Sequence, residues 1–237
     1  MKKHNGTLIL ALLFLISISG CKTQPPSQID QKSERFGSLI KVRTEFEERY
    51  IILHKHTFPY VLKTIYESNM RNYSIFLLKG TLFSFYEYIG TNYQADMEKI
   101  GQDKTTQEWW KLTDPMQKPL ENRKEGEWWA AMEEIFHHGK KHVPSAKAMR
   151  YAYTAELIGC DLQTKLNLPE ILKQADIQNL CIYRKENRLY TYFECYEKDP
   201  DADREILERG LNDLITQVSP GVSHVRWSRM EEVFHTD

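Results

Sequence analysis

Neither sign of charge predominates in this sequence. Its 237 residues carry 32 lysines and arginines against 33 aspartates and glutamates, for a net charge of −1, and no basic stripe runs along it. That balance argues against nucleic acid as a partner. Long apolar runs are scarce as well. The most pronounced, Leu8 to Ile18, is broken only by Ser17 and falls short of the roughly 20 apolar residues that a bilayer-spanning helix needs. Cysteine is sparse, four in all, and Cys160, Cys181 and Cys195 show no metal-ligand spacing. An odd number in the body leaves at least one thiol free unless another chain pairs with it. All three lie on apolar stretches and read as small buried hydrophobes, although Cys181 and Cys195 could face each other across a hairpin.

What the N-terminus does contain is a short export signal. Lys2 and Lys3 precede the apolar run, whose length suits a signal-peptide h-region. Ile18-Ser19-Gly20-Cys21 follows at once and resembles a bacterial lipobox. Residues 1–20 are therefore expected to be a signal peptide and Cys21 the lipidated residue, the alternative being an ordinary secretory signal with an incidental cysteine. Residues 21–37, polar and containing Pro25-Pro26, read as a tether between membrane and folded body. This places the protein in the cell envelope, lipid-anchored, facing the periplasm or the outside. Removing Lys2 and Lys3 takes the net charge from −1 to −3.

The body repeats itself. Met132-Glu133-Glu134-Ile135-Phe136-His137 returns as Met230-Glu231-Glu232-Val233-Phe234-His235. Phe58-Pro59-Tyr60-Val61-Leu62-Lys63 is echoed by Leu168-Pro169-Glu170-Ile171-Leu172-Lys173, and Asn72 to Tyr88 by Asn179 to Tyr196. The order is the same in both halves, which implies a duplication hinged at His138 to Ser145. In the first half, Ser38 to Phe46 is β-rich. Glu47 to Asn69 is helical with a break at Pro59. Asn72 to Leu78 and Thr81 to Tyr88 alternate around Lys79-Gly80 as a hairpin. Asn92 to Leu112 is helical and Met132 to His137 closes as a strand. The resulting order, βαββαβ, is the ferredoxin-like split motif. A sheet with helices on one face must bury the other. Two fused repeats, 38–138 and 146–237, can do so against each other as a dimeric-type α+β barrel, a monomeric pseudo-dimer.

The first repeat carries the candidate site. Tyr50 and His54 are spaced to share one helix face, and Pro59 follows. Then come Asn72-Tyr73 opening a strand, Gln107-Glu108-Trp109-Trp110 and the closing Glu134-Ile135-Phe136. This ordered set resembles the L-rhamnose mutarotase family from about Leu39 to His138. The resemblance implies that His54 is the proton donor and that Tyr50, Tyr73, Trp109 and Trp110 bind the sugar, with Asn72 beside them. The family is usually a homodimer of single units. The tandem form, the lipid anchor and the Lys118 to Trp129 insertion are departures from it.

The residue types suit anomer interconversion on their own terms. Opening a hemiacetal needs an acid and a base active near neutral pH, which histidine can supply with a reference pKa of about 6.5. The reaction itself calls for no metal or cofactor. Tryptophan faces suit the apolar side of a 6-deoxy sugar, and tyrosine hydroxyls suit its hydroxyl groups. Singly, His54 would pass for a partly buried or surface histidine and the Trp109-Trp110 pair for core; it is their ordered combination that points to a site. Trp128-Trp129 reads as cover near the cleft or as local core. His137, His138 and His142 straddle Gly139 and do not read as a ligand set. The second repeat has lost the constellation: Cys160 stands for Tyr50, Thr164 for His54 and Leu180 for Tyr73. Two other readings stay open, a non-catalytic sugar-binding lipoprotein and a cofactor-free monooxygenase-like enzyme.

Overall fold

The computed structural model describes residues 33–139, 148–157, 177–195, 208–213, 215–216 and 225–237. The signal peptide, Cys21, most of the tether, the hinge beyond Gly139, His142, Cys160, Thr164 and Pro169 lie outside the described residues. Strand β1 spans Glu34–Val42, four residues ahead of the expected start at Ser38. Residues 34–37 are strand rather than tether because they pair in register with the third strand, Glu34 opposite Tyr88. Gly37 belongs there for a steric reason: a Cβ at this position would meet the Tyr183 ring at 2.8 Å.

Helix α1, Glu47–Lys55, ends before Pro59, which opens α2, Pro59–Glu67. At that first helical position proline's missing N–H costs no bond. Strands β2, Met70–Leu78, and β3, Thr81–Tyr88, form the hairpin. Lys79 and Gly80 both have positive φ, 47° and 71°, the backbone of a tight turn matched to strand twist. The helix expected over Asn92 to Leu112 is two helices, α3 (Tyr93–Gln102) and α4 (Lys104–Thr113). Asp103 divides them. Its backbone is extended, and its carboxylate accepts the Thr106 N–H at 2.7 Å as the N-cap of α4, so the first helix cannot continue through it.

The remaining strands are β4 (Gln117–Lys118), β5 (Ala130–Ala131), β6 (Glu133–His138), β7 (Met149–Glu156), β8 (Ile177–Lys185), β9 (Arg188–Cys195) and β10 (Ser228–Thr236). Among the described residues the fold is α+β, with an antiparallel ten-stranded sheet in the order β4-β1-β3-β2-β10-β7-β9-β8-β6 and β5 on β1. The closing strands change places. β6, which ends the first half in sequence, pairs with β8, while β10 pairs with β2 as well as β7.

Local devices recur at matching positions. Asn72 and Asn179 both sit at left-handed φ, 53° and 50°, each inside a bulge of its hairpin. Arg35 pairs with Glu134 and Arg150 with Glu232, both at 2.8 Å. Between the halves, Leu39, Phe76, Phe83 and Phe85 pack on Ala152, Tyr183, Tyr190 and Tyr192. Phe85 and Tyr192 stack with centroids 3.8 Å apart. At roughly 25 cal/mol per Å² of apolar area, such aromatic faces are a main source of cohesion. Cys181 and Cys195 are both buried, and among the described residues neither is in a disulfide. Cys195 pairs with Ile177 and Cys181 with Tyr192, so no bridge spans the hairpin.

Candidate active site

Helix α1 buries only Tyr50 and His54, the two residues that its spacing puts on one face. The imidazole stacks on the Tyr50 ring at 3.9 Å and meets Trp109 and Phe234 edge-on at 5.2 and 5.9 Å. Its Nδ1 lies 2.9 Å from the Tyr50 carbonyl oxygen. A carbonyl only accepts, so Nδ1 carries the hydrogen and the neutral ring keeps its lone pair on Nε2. Burial lowers the pKa of His54 to about 4, against the opposing pull of that backbone bond. Desolvation penalises the charged form, so His54 is neutral at pH 7. A group read from its reference pKa as a ready acid is, at rest, a base.

Around His54 opens a cavity of about 440 Å³. β2 contributes Tyr73 and Ile75 from one side of the strand, α4 contributes Trp109, Trp110 and Thr113, and the turn after it contributes Asp114. Gln117, Trp128 and Trp129 complete the wall. Gln117 Nε2 donates to the Tyr50 hydroxyl at 3.4 Å, and its Oε1 accepts the Trp128 indole N–H at 2.7 Å. One buried amide thus ties helix α1 to the inserted segment. A smaller space of about 190 Å³ adjoins the first; Val61, Ile65, Met70, Met97, Ile100 and Phe234 line it, and His54, Tyr73, Trp109 and Trp110 border both. Burial pushes the Tyr50 hydroxyl well above its ordinary range and the Tyr73 hydroxyl up to about 12. Both phenols therefore keep their protons and can donate. Desolvation also raises the pKa of the Asp114 carboxyl.

Five of the six site residues expected from sequence, Tyr50, His54, Tyr73, Trp109 and Trp110, surround this cavity. Asn72 does not. Its side chain points the other way along the bulged strand and is fully buried between the halves. There Nδ2 donates to Glu194 at 2.7 Å and Glu87 at 3.3 Å, and Oδ1 accepts the Tyr192 hydroxyl at 2.8 Å. Phe136, part of the sequence pattern, packs on the second half's core. Phe234 stands beside His54 instead, because the closing strands have exchanged. Asp114, Gln117, Trp128 and Trp129 were not singled out as ligands. The second Trp-Trp pair was the only visible signal for them. Leu180, opposite in role to Tyr73, is buried among apolar neighbours. His137 and His138 lie on β6, and among the described residues no cluster of His, Cys, Asp and Glu is arranged to hold a metal ion.

Residues 35–138 match the family model of L-rhamnose mutarotase. Over these residues the chain is similar to the L-rhamnose mutarotase family. The family's chemistry is that of isomerase-type carbohydrate enzymes, and the match spans every element that contributes to the cavity except Phe234. A comparison with curated protein sequences finds no match. Among solved structures, the chain is similar to a candidate monooxygenase from Fusobacterium nucleatum, with 13% identity, 86% of this chain and 94% of that one covered, and a TM-score of 0.53. A candidate monooxygenase from Lactobacillus acidophilus aligns with 9% identity over 85% and 95%, at a TM-score of 0.49. At such identity the first likeness concerns the fold alone.

Proposed function

We propose that this protein is an L-rhamnose mutarotase, interconverting the α and β anomers of L-rhamnose or a related pyranose by acid–base opening and closing of the ring. The observation that carries the reading is the state of His54, neutral, with its free Nε2 at a cavity walled by tyrosine and tryptophan. A histidine that starts neutral belongs at the anomeric oxygen, O1, because at the ring oxygen, O5, it would have to give a proton it lacks. Nε2 takes the O1 proton as the C1–O5 bond breaks, while O5 takes a proton from a neighbouring acid. The open aldehyde turns about C1–C2, O5 attacks the other face and returns its proton, and the imidazolium returns its own to O1. Nothing is oxidised or reduced. The proton-donor role implied by the family is thus the second half of a cycle that begins with acceptance.

We assign the companion acid to Asp114, the carboxyl that lines the same cavity and is raised by burial. The Tyr50 and Tyr73 hydroxyls hold the sugar's oxygens, and Trp109 and Trp110 cover its C–H faces. Saturation transfer between the anomeric protons of L-rhamnose tests the whole reading: wild-type protein accelerates exchange, and Asp114→Asn lowers that acceleration by about 10²-fold. Sugar binding without accelerated exchange would leave a binding module and sink the enzyme.

The same reading extends to the assembly and its address. The exchange of β6 and β10 between halves supports two fused ferredoxin-like βαββαβ repeats, closed as a dimeric-type α+β barrel inside one chain. The second repeat then stands in for a partner subunit. Cys21 holds this body to a membrane of the cell envelope. Exported Cys21→Ser protein should be recovered soluble and run as a monomer in light scattering; membrane retention would refute the anchor, and an obligate dimer the pseudo-dimer.

A further inference from the structure

The space around His54 is larger than one sugar requires. Even at water's share of roughly 30 Å³ per heavy atom, the about eleven heavy atoms of a 6-deoxyhexose fill no more than about 330 Å³, and a packed ligand takes less. The main cavity alone measures about 440 Å³ and its neighbour adds about 190 Å³.

The cavity also has a direction. Its floor is formed by Tyr50, His54 and Trp109, all buried, together with Gln117. Its rim is Trp110, 38% exposed, and Trp128, 45% exposed. A large aromatic left this open to water is normally a mobile side chain, but Trp128 is not free to move. Its indole N–H is held at 2.7 Å by Gln117, whose own amide reaches the Tyr50 hydroxyl on the floor. The inserted segment between β4 and β5 therefore does more than cover the site. It delivers an anchored aromatic plate to the same cavity that the half-exposed Trp110 lines.

Pockets that bury a ligand by apolar walls and orient it by a few convergent polar groups are the general pattern of small-molecule recognition. Here the buried polar groups are those of Tyr50 and His54, with Tyr73 and Asp114 half-buried on the same wall, and the more exposed Trp110 and Trp128 offer ring faces. The geometry points to a second sugar subsite at the exposed ring of Trp128, next to the Trp110 that bounds the first: the substrate is a reducing di- or oligosaccharide that enters with its terminal 6-deoxyhexose first, its next residue lying against Trp128. This rests on the mutarotase reading for placing the anomeric carbon at His54. An extended chain can only leave from the sugar's other end, toward the mouth.

Titration calorimetry on the whole protein compares L-rhamnose with a disaccharide that has L-rhamnose at its reducing end. The disaccharide binds at least tenfold more tightly. Trp128→Ala loses at least fivefold more affinity for the disaccharide than for rhamnose, and Trp128→Phe, which keeps a ring face, retains most of the difference. Gln117→Leu, which releases the indole without removing it, narrows the gap between the two sugars as well. Equal or weaker binding of the disaccharide by wild type, or equal losses for both sugars in Trp128→Ala, overturns the subsite. Anomeric exchange measured on the same samples separates the two readings. Tighter disaccharide binding without exchange keeps the subsite and sinks the mutarotase; exchange of rhamnose without a disaccharide preference does the reverse.

Discussion

His54→Ala is expected to lower catalysed anomer exchange by about 10²- to 10⁴-fold, the usual contribution of a positioned acid or base. Tyr50, Tyr73 and the tryptophans remain to hold the ring, so rhamnose affinity falls far less than turnover. The pH dependence identifies the group responsible. With His54 held near pKa 4 by burial, wild-type exchange persists on acidification below the ordinary histidine range and declines as pH falls through about 4. A decline centred near 6.5 would mean that the working base is an exposed histidine. The same shift links to stability. The unfolded chain takes up the imidazole proton first, so His54 makes no pH-dependent difference above its unfolded pKa. Stability is then lost as pH falls from about 6.5 toward 4, by about 3 kcal/mol in all. His54→Ala should remove that part of the acid destabilisation, measurable by urea unfolding at several pH values. If the variant kept wild-type exchange, His54 would be packing and the mechanism would fail with it.

A stability loss of comparable size is expected at a residue that the sequence pattern put beside the sugar. Asn72 is fully buried and serves Glu194, Glu87 and Tyr192 at once. Asn72→Ala strips a buried carboxylate and a buried hydroxyl of a partner, each worth about 1–3 kcal/mol. It also puts an alanine at φ 53°, where a Cβ costs roughly 1–2 kcal/mol. Urea unfolding at pH 7 should show a loss of about 3 kcal/mol or more. Asn72→Gly, free of the φ penalty, should lose less, and the gap between the two variants measures the strain. An unchanged midpoint with weakened rhamnose binding would return Asn72 to the sugar site.

Much of the local structure was legible without coordinates, for a definite physical reason. A helix face, a hairpin turn and a proline stop depend on residues within a few positions of one another. Tyr50 and His54 share a face because helical geometry puts every fourth residue there, and both are buried on α1. Lys79-Gly80 turns the hairpin because both residues accept positive φ. The family pattern followed from the order of such local pieces, and five of its six expected contacts meet around one cavity. Where local reading erred, a capping side chain or a register decided otherwise: Asp103 divided one helix into two, and pairing with β3 drew residues 34–37 into β1.

What only the tertiary structure decided involves residues far apart in the chain. The exchange of β6 and β10 brings Phe234, not Phe136, to His54, and no local pattern distinguishes two nearly identical closing strands. Asn72 turns inward because a bulge and three partners from both halves claim its amide. Gln117 recruits Trp128 across an inserted segment whose own sequence is charged and aperiodic. The working state of His54 is of the same kind. Its residue type supplies a pKa near neutrality, but desolvation by Tyr50, Trp109 and Phe234, assembled from three separate stretches of chain, moves it to about 4. The identity of a side chain and its spacing belong to the sequence; its protonation, its partners and the volume before it depend on what the fold packs around it.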